Sequence, residues 1–388
     1  MPEKAKKNII LIHQKEYEID KSPAMINHKI ITGKATGRIH FLGGHCSPFA
    51  GLYLSASINR SVQIAISPRK DNSLRFYAAD LHERRRVSFN NLKYKKEDRW
   101  ANYFKTAIYA FIKLGYPVKG MNFTFLGNIP QQIGLASSSA IEAAAAAALK
   151  GLFRLKITDI ELAQYLAEAH NWVFEKQPDL AAYIAILCGK NNELLLIDEA
   201  DLTIKRIVSP FSRCKIVLID SHVHRFGVDT ELDLRREELK SALEILSEGR
   251  MDLNLRELAE TELLESSGNL PEEIRRRILH VVQEIRRVLE AEDFILHNDL
   301  PGFSRLLFHS HDSLRDLFEL SCPEIDWIVK RARETEGVFG ARMNGTGLGR
   351  CVYIIIQKES VKEYKEKMED YEKIFGFHPA IYEVMLGR

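Results

Sequence analysis

Cysteine is sparse and unpatterned. The five residues, Cys46, Cys188, Cys214, Cys322 and Cys351, are odd in number and nowhere spaced as C-x-x-C. That leaves no disulfide framework and fits small buried apolar residues in a reducing compartment. An excess of one charge is also missing: 55 Lys and Arg stand against 53 Asp and Glu, for a net charge of +2. No global field therefore points to nucleic acid or to an acidic membrane. No uncharged apolar run reaches spanning length, and the apolar run in the basic N-terminal stretch "MPEKAKKNIILIH" is too short for a signal peptide. Repeats and low-complexity tracts are absent apart from one alanine run. The expectation is a soluble, cytoplasmic protein without nucleic-acid or membrane partners, either a monomer or a weak homodimer.

What is present is enough for more than one core. The chain has 388 residues, 45% of them hydrophobic, which suits two or three domains. Short runs rich in branched residues predict strands at 8–13, 52–58, 61–67, 193–198, 215–220 and 351–357. Apolar residues recurring every three to four positions predict helices at 101–113, 139–153, 159–175, 231–249, 272–292 and 323–335. Strands and helices mix without strict alternation, so the fold class expected is α+β. A strand-rich first half, 1–205, gives way to a largely helical second half, 206–388, with a further break at "SSGNLPEE" (266–273). The basic cluster at 83–99 reads as a solvated face, because aromatic stacking partners are few.

Two small-residue turns carry the chemistry. In "NIPQQIGLASSSAIEAAAAAALK" (128–150), Gly134 supplies a tight turn and Ser137, Ser138 and Ser139 open a helix. A helix start leaves four backbone N–H groups without partners, and small residues let that backbone wrap an anion. The hydroxyls suit phosphate or a bound Mg²⁺, and the alanines allow close packing on the helix. The segment alone equally suits an ordinary capped helix. A second turn, "GVFGARMNGTGLGRCVYIII" (337–356), alternates Gly345, Gly347 and Gly349 before a strand, and by itself equally suits a flexible hairpin. Together the two turns suggest one shared nucleotide site.

Three segments resemble the GHMP kinase superfamily, and within it the galactokinase family. "TGRIHFLGGHCSPFAGLYL" (36–54) is similar to G-R-x-N-L-I-G-E-H-x-D-Y-x-x-G, "PQQIGLASSSAIE" (130–142) to P-x-x-x-G-L-S-S-S-A-x-x-E, and "GARMNGTGLGRCV" (340–352) to G-x-R-M-T-G-G-G-F-G-G-C. Connecting stretches at 100–105, 229–239, 311–326 and 375–384 agree, so the likeness covers nearly the whole chain. The resemblance implies a two-domain fold, an N-terminal ribosomal-protein-S5-like α/β domain and a C-terminal α+β domain, with the active site in the cleft between them. It implies a kinase that transfers the γ-phosphoryl group of Mg·ATP to a sugar hydroxyl.

Residue by residue, the resemblance places a transition-state arginine at Arg38 and the ATP cradle at Gly134, Leu135, Ala136, Ser137, Ser138, Ser139, Gly345 and Gly347. It places Mg²⁺ on Ser138 and Glu168, with Glu175 as the rival carboxylate. The sugar positions fall at Gly44, His45, Ser47 and Leu232. Of these only His45 keeps the polar side chain of the pattern, since two carboxylates and a tyrosine are gone. The catalytic aspartate falls at Ala182. Asp179 lies one helical turn earlier on the same face and is the candidate base, although a helix-start aspartate also occurs for electrostatic reasons alone. Thr346 and Arg350 replace two glycines of the third pattern. Two readings stay open: a galactokinase-like kinase for a small-molecule substrate other than galactose, or an impaired relative that binds nucleotide as a sensor or interaction module. Ordinary galactokinase activity survives only if the gap-free placement at Ala182 is wrong.

Overall fold

The 17-residue strand β2 (Leu52–Pro68) organises the first half of the chain. The computed structural model describes residues 2–19, 30–46, 51–224, 227–247, 255–256, 263, 265, 267–345 and 351–387. Along one edge β2 pairs antiparallel with β1 (Ile31–Leu42). On the other edge it pairs first with β6 (Glu193–Asp198) and then with β5 (Met121–Gly127). β3 (Ser73–Ala78), β4 (Glu83–Ser88) and β7 (Thr203–Val208) complete a seven-stranded sheet in the order β4-β3-β5-β2-β6-β7, with β1 laid beside β2. The runs read as separate strands at 52–58 and 61–67 are therefore one strand.

Helices cover this sheet. α1 (Pro2–Glu16) corrects the strand expected at 8–13. Ile9 and His13 are buried and lie four residues apart, the spacing of one helix face, among charged neighbours. The buried His13 ring binds Thr124 Oγ1 and Ser67 Oγ, each at 2.9 Å, and so fastens α1 across β5 and β2. α2 (Asn102–Lys113) and α4 (Asp159–Phe174) pack on one another, while α3 (Ser137–Phe153) and α5 (Leu180–Cys188) lie on β1 and β2. The alanine run of α3 is what permits this closeness. A Cβ added to Gly33 of β1 would stand 2.0 Å from the Ala144 carbonyl and 2.6 Å from the Ala148 nitrogen.

A second, four-stranded antiparallel sheet has the order β11-β8-β10-β9, built from β8 (Cys214–Asp220), β9 (Val338–Met343), β10 (Cys351–Gln357) and β11 (Ala380–Val384). α6 (Val228–Ser247), α7 (Glu272–Leu296), α8 (Leu300–Asp316), α9 (Pro323–Arg333), α10 (Val361–Lys367) and α11 (Glu369–Phe375) accompany it. The expected end of the first half, residue 205, falls inside β7. The turn at 209–213 separates the two sheets, and we propose it as the division. The halves are joined again where the C-terminal residues return to β2: Asn59 N–H donates to the Met385 carbonyl at 2.9 Å, and Gly387 N–H to the Ser57 carbonyl at 2.8 Å.

All five cysteines are free thiols. Among the described residues no helix is long and apolar enough to cross a membrane. Much of the basic cluster at 83–99 is matched by acids, with Arg84 on Glu16, Arg85 and Arg99 on Glu83, and Lys93 on Glu175.

Because Gly33 leaves no room for a side chain, Gly33→Ala is expected to destabilise the protein by about 1–3 kcal/mol in urea unfolding. Gly268→Ala, with nothing within 4 Å of the added carbon, is expected to stay within about 0.5 kcal/mol.

Candidate active site

The site forms where three turns meet. Register shifts in the β1–β2 ladder fall between Thr36 and Arg38 and between His40 and Leu42. These irregularities bracket Arg38 and His40, which stand two residues apart and so share one face of the strand. Across from them, α5 begins at Asp179. Asp179 Oδ1 accepts the Ala182 N–H at 2.8 Å and caps the helix. Asp179 Oδ2 accepts from Arg38 Nη2 at 2.8 Å and lies 3.3 Å from His40 Nε2.

Arg38 also reaches the serine turn. Its Nη1 donates to the Gly134 carbonyl, and its backbone N–H donates to the Leu135 carbonyl at 3.1 Å. Gly134 has φ +78°, and Ala136, the residue before α3, has φ +56°. Among the described residues no side chain caps the start of α3. Ser137 and Ser138 are half-buried, and Ser139 is buried. The third turn meets the second backbone to backbone. Gly345, with φ +83°, lies so close that a Cβ on it would stand 3.0 Å from Gly134 Cα. Asn344 Nδ2 donates to the Gly134 carbonyl at 3.0 Å. Gly347 and the substituted Thr346 and Arg350 lie outside the described residues, as does Ser47.

The first turn adds a pocket wall. His45, Tyr53, Gln177, Pro178, Asp179, Leu232, Arg235, Arg236, Leu239 and Phe318 line one cavity. His45 has φ +70°, and its ring lies 4.5 Å from that of Phe318, centre to centre. Among the described residues its buried Nε2 has no hydrogen-bond partner. Burial, reinforced by the charge of Arg342, lowers the His45 pKa to about 3, so the ring is neutral at physiological pH. Gly44 is buried against the third segment, where a Cβ would stand 3.0 Å from Arg342 Nη2.

Under that turn lies a charged group of residues that the sequence reading missed. Glu284 of α7 accepts the Gly43 N–H at 3.0 Å, the Ser310 hydroxyl at 2.7 Å, Arg287 Nη1 at 2.8 Å and Arg342 Nη2 at 3.3 Å. Glu284 and Arg342 are both fully buried. Burial alone would raise the Glu284 carboxyl, but Arg342 and Arg287 outweigh it and hold its pKa at about 2. Asp179 shows the same contest. Burial works against its charge, and His40 and Arg38 together hold its carboxyl well below the usual range. His40 is pushed down to about 4, first by burial and then by the Arg38 charge.

The structure brings Arg38, Asp179, Gly134, Leu135 and Gly345 together and places His45 and Leu232 in the wall of the adjoining pocket, while Gly44 is buried against Arg342. It does not bring Glu168 there. That side chain is 56% exposed on α4 and pairs with Lys113. Glu175 is exposed as well and pairs with Lys93. The buried carboxylate next to the serine turn is Glu142, one turn into α3. It accepts from the Tyr183 hydroxyl and lies 3.0 Å from His170 Nδ1, and Tyr183 also bonds Ser139. Glu142 closes the quoted serine pattern, which was the available signal. Among the described residues no group of three His, Cys, Asp or Glu side chains is placed to hold a metal ion.

Residues 102–189 match the model of the GHMP kinases N-terminal domain, and residues 291–373 that of the GHMP kinases C-terminal domain. The chain is 31% identical over 357 residues to a galactokinase of Roseiflexus, covering 92% of this chain and 91% of that one. It is 32% identical over 359 residues to a galactokinase of Clostridium beijerinckii, covering 90% and 92%. A solved structure of Lactococcus lactis galactokinase complexed with galactose superposes with a TM-score of 0.89 at 25% identity over 97% of each chain. The chain belongs to the galactokinase family of GHMP kinases.

The Glu284 carboxyl binds its proton at about 2 in the fold and near 4.5 when free of its partners. Its stabilising contribution is therefore complete above about pH 4.5 and is lost as pH falls toward 2. Glu284→Gln, which leaves Arg342 without its counter-charge, is expected to cost about 3–5 kcal/mol at pH 7. Urea unfolding across pH 3–7 should show a flatter acid dependence for the variant than for the parent protein.

Proposed function

We propose that this chain is an ATP-dependent sugar kinase that moves the γ-phosphoryl group of ATP onto a sugar hydroxyl. The observation that carries this reading is the position of Arg38, which binds the Gly134 carbonyl of the serine turn with one nitrogen and Asp179 with another. A guanidinium between a phosphate cradle and a carboxylate stands where negative charge develops as the phosphoryl group passes. In the reaction the bond from the γ-phosphorus to the bridging oxygen breaks, and the acceptor oxygen bonds to that phosphorus. Asp179 takes the hydroxyl proton, and ADP leaves. Against the effect of burial, the Arg38 charge keeps this carboxylate ionised and so able to accept a proton, and in phosphoryl transfer positioning and charge neutralisation carry most of the catalysis.

The uncapped N–H groups of α3, with Ser137, Ser138 and Gly345, would receive the triphosphate. The Ser138 hydroxyl fits Mg²⁺ bound with ATP, since that ion takes few protein ligands and keeps oxygen donors from phosphate and water. The ion would supply neutralisation of phosphate charge. Glu168 has no part in this assignment.

The acceptor assigned is a sugar other than galactose. Gly44 and Leu232 offer no hydrogen-bond acceptor, and Arg342 fills the space next to Gly44. Losing such acceptors removes much of the discrimination for a given polyol. The cysteine pattern supports a cytoplasmic setting, and we take the protein as a monomer or weak dimer.

Calorimetry with Mg·ATP, followed by phosphate-transfer assays over a panel of hexoses, tests the reading. ATP binding with transfer to at least one sugar is expected. ATP binding with silence across the panel would favour a nucleotide sensor, and absence of ATP binding would overturn the kinase. For the sugar that is turned over, Asp179→Asn is expected to lower kcat by about 10²- to 10⁴-fold with ATP affinity unchanged. An unchanged kcat would remove Asp179 from the base role.

A further inference from the structure

We propose that His40 is the positioning residue for this base: anchored on Ser55, its imidazole fixes the Asp179 carboxylate so that one oxygen is fully engaged and the other stays open to the acceptor hydroxyl. The inference rests on Asp179 being the base. An ionised carboxylate offers roughly four acceptor directions over two oxygens. Oδ2 is shared by Arg38 Nη2 at 2.8 Å and His40 Nε2 at 3.3 Å, while Oδ1 holds the Ala182 N–H at 2.8 Å. Among the described residues three directions are occupied, and the fourth belongs to Oδ1. The Asp179 side chain keeps 26% of its surface exposed and lines the same cavity as His45 and Leu232.

The contacts also define the tautomer of His40. A carboxylate only accepts, so Nε2 carries the proton. In a neutral imidazole Nδ1 then accepts, and it lies against the Ser55 hydroxyl. Ser55 is the direct cross-strand partner of His40 in the β1–β2 ladder, and the Tyr53 ring packs 5.0 Å from the His40 ring. His40 is thus held from two sides, and it holds Asp179 against rotation. Without it the carboxylate would have only the single Arg38 contact on Oδ2, with the α5 start drawing on Oδ1.

Both members of this contact depart from the galactokinase pattern together. In G-R-x-N the residue two after the arginine is asparagine, where this chain has His40. The catalytic aspartate of the family falls at Ala182, and the carboxylate present, Asp179, lies one helical turn before it. A carboxylate moved one helical turn back needs a new partner, and a longer side chain at position 40 supplies one. The charged and titratable groups acting on the pair are Arg38 from β1, His45 from the following turn, Tyr183 from α5 and Arg342 from β9.

The test uses the full chain with His40→Ala, His40→Asn and His40→Gln. The first readout needs no acceptor: the ring nitrogens of ¹⁵N-histidine-labelled protein. At pH 7 His40 is expected to be neutral and protonated on Nε2, with its resonances shifting in Asp179→Asn. Protonation on Nδ1, or indifference to Asp179→Asn, overturns the proposal whether or not any sugar is phosphorylated. The second readout is turnover of the sugar found in the hexose panel. His40→Ala and His40→Asn are expected to lose about 10- to 100-fold in kcat. KM for ATP should be unchanged, and the acid limb of kcat should move to higher pH as Asp179 loses a donor. His40→Gln, which restores an N–H near the Nε2 position, should recover part of kcat. Unchanged kcat, or a loss of kcat in step with ATP affinity and Tm, would mean that His40 serves structure only.

Discussion

The Arg38 guanidinium is the contact on which the arrangement of the site depends. It is nearly buried, and its nitrogens go to two elements far apart in sequence, the Gly134 turn and the Asp179 helix start. A planar fork of donors is suited to this, since it fixes direction as well as distance. The backbone of Arg38 adds a second link to the serine turn at Leu135. Because Asn344 binds the same Gly134 carbonyl, one peptide oxygen gathers contacts from both halves of the chain. The turns therefore cannot be positioned separately.

Much of this was legible in the sequence, for identifiable reasons. The Gly134–Ser139 and Gly345 turns stood out as runs of small residues; each alone suited an ordinary capped helix or hairpin equally well, and their pairing with the family patterns is what pointed to one site. Most of the long helices with apolar stripes were found because their pattern is local, but α8 was missed, since Ser310 and His311 interrupt the stripe of Phe303, Leu306, Leu307 and Leu314. β1 was missed because "ITGKATGRIHFL" is broken by Gly33 and Gly37, and its glycines make sense only once α3 is known to lie against it. The α1 segment was mistaken for a strand because four consecutive apolar residues hide a helical face that only Ile9 and His13 define. Glu168 was placed at the metal by counting along the chain. Which way a helix turns its carboxylate depends on its neighbours, here Lys113 of α2.

The carboxylate count of the pocket illustrates the same limit. Read along the motifs, the chain has lost acidic groups at positions 44, 47 and 182. In space, three acids lie close to the site, Asp179 against Arg38, Glu284 beneath Gly43 and Glu142 beside the serine turn, and of these only Asp179 was a candidate in the sequence. Glu284 is more than two hundred residues away from the glycine turn it supports, and no spacing rule reaches that far. Its charge is matched by Arg342 of the third segment, so the turn that replaced a glutamate rests on an ion pair drawn from elsewhere.

The return of the chain at residues 385–387 to β2 bears on how the two sheets are held at their crossing. The polypeptide passes from one sheet to the other at 209–213, where Ser209 N–H donates to the Asn192 carbonyl at 2.9 Å and Asn192 N–H donates to the Leu386 carbonyl at 3.3 Å. The hydrogen bonds of Asn59 and Gly387 to residues 385 and 57 fall at the same join. The final residues of the chain therefore brace the very peptide beside which the polypeptide changes sheets.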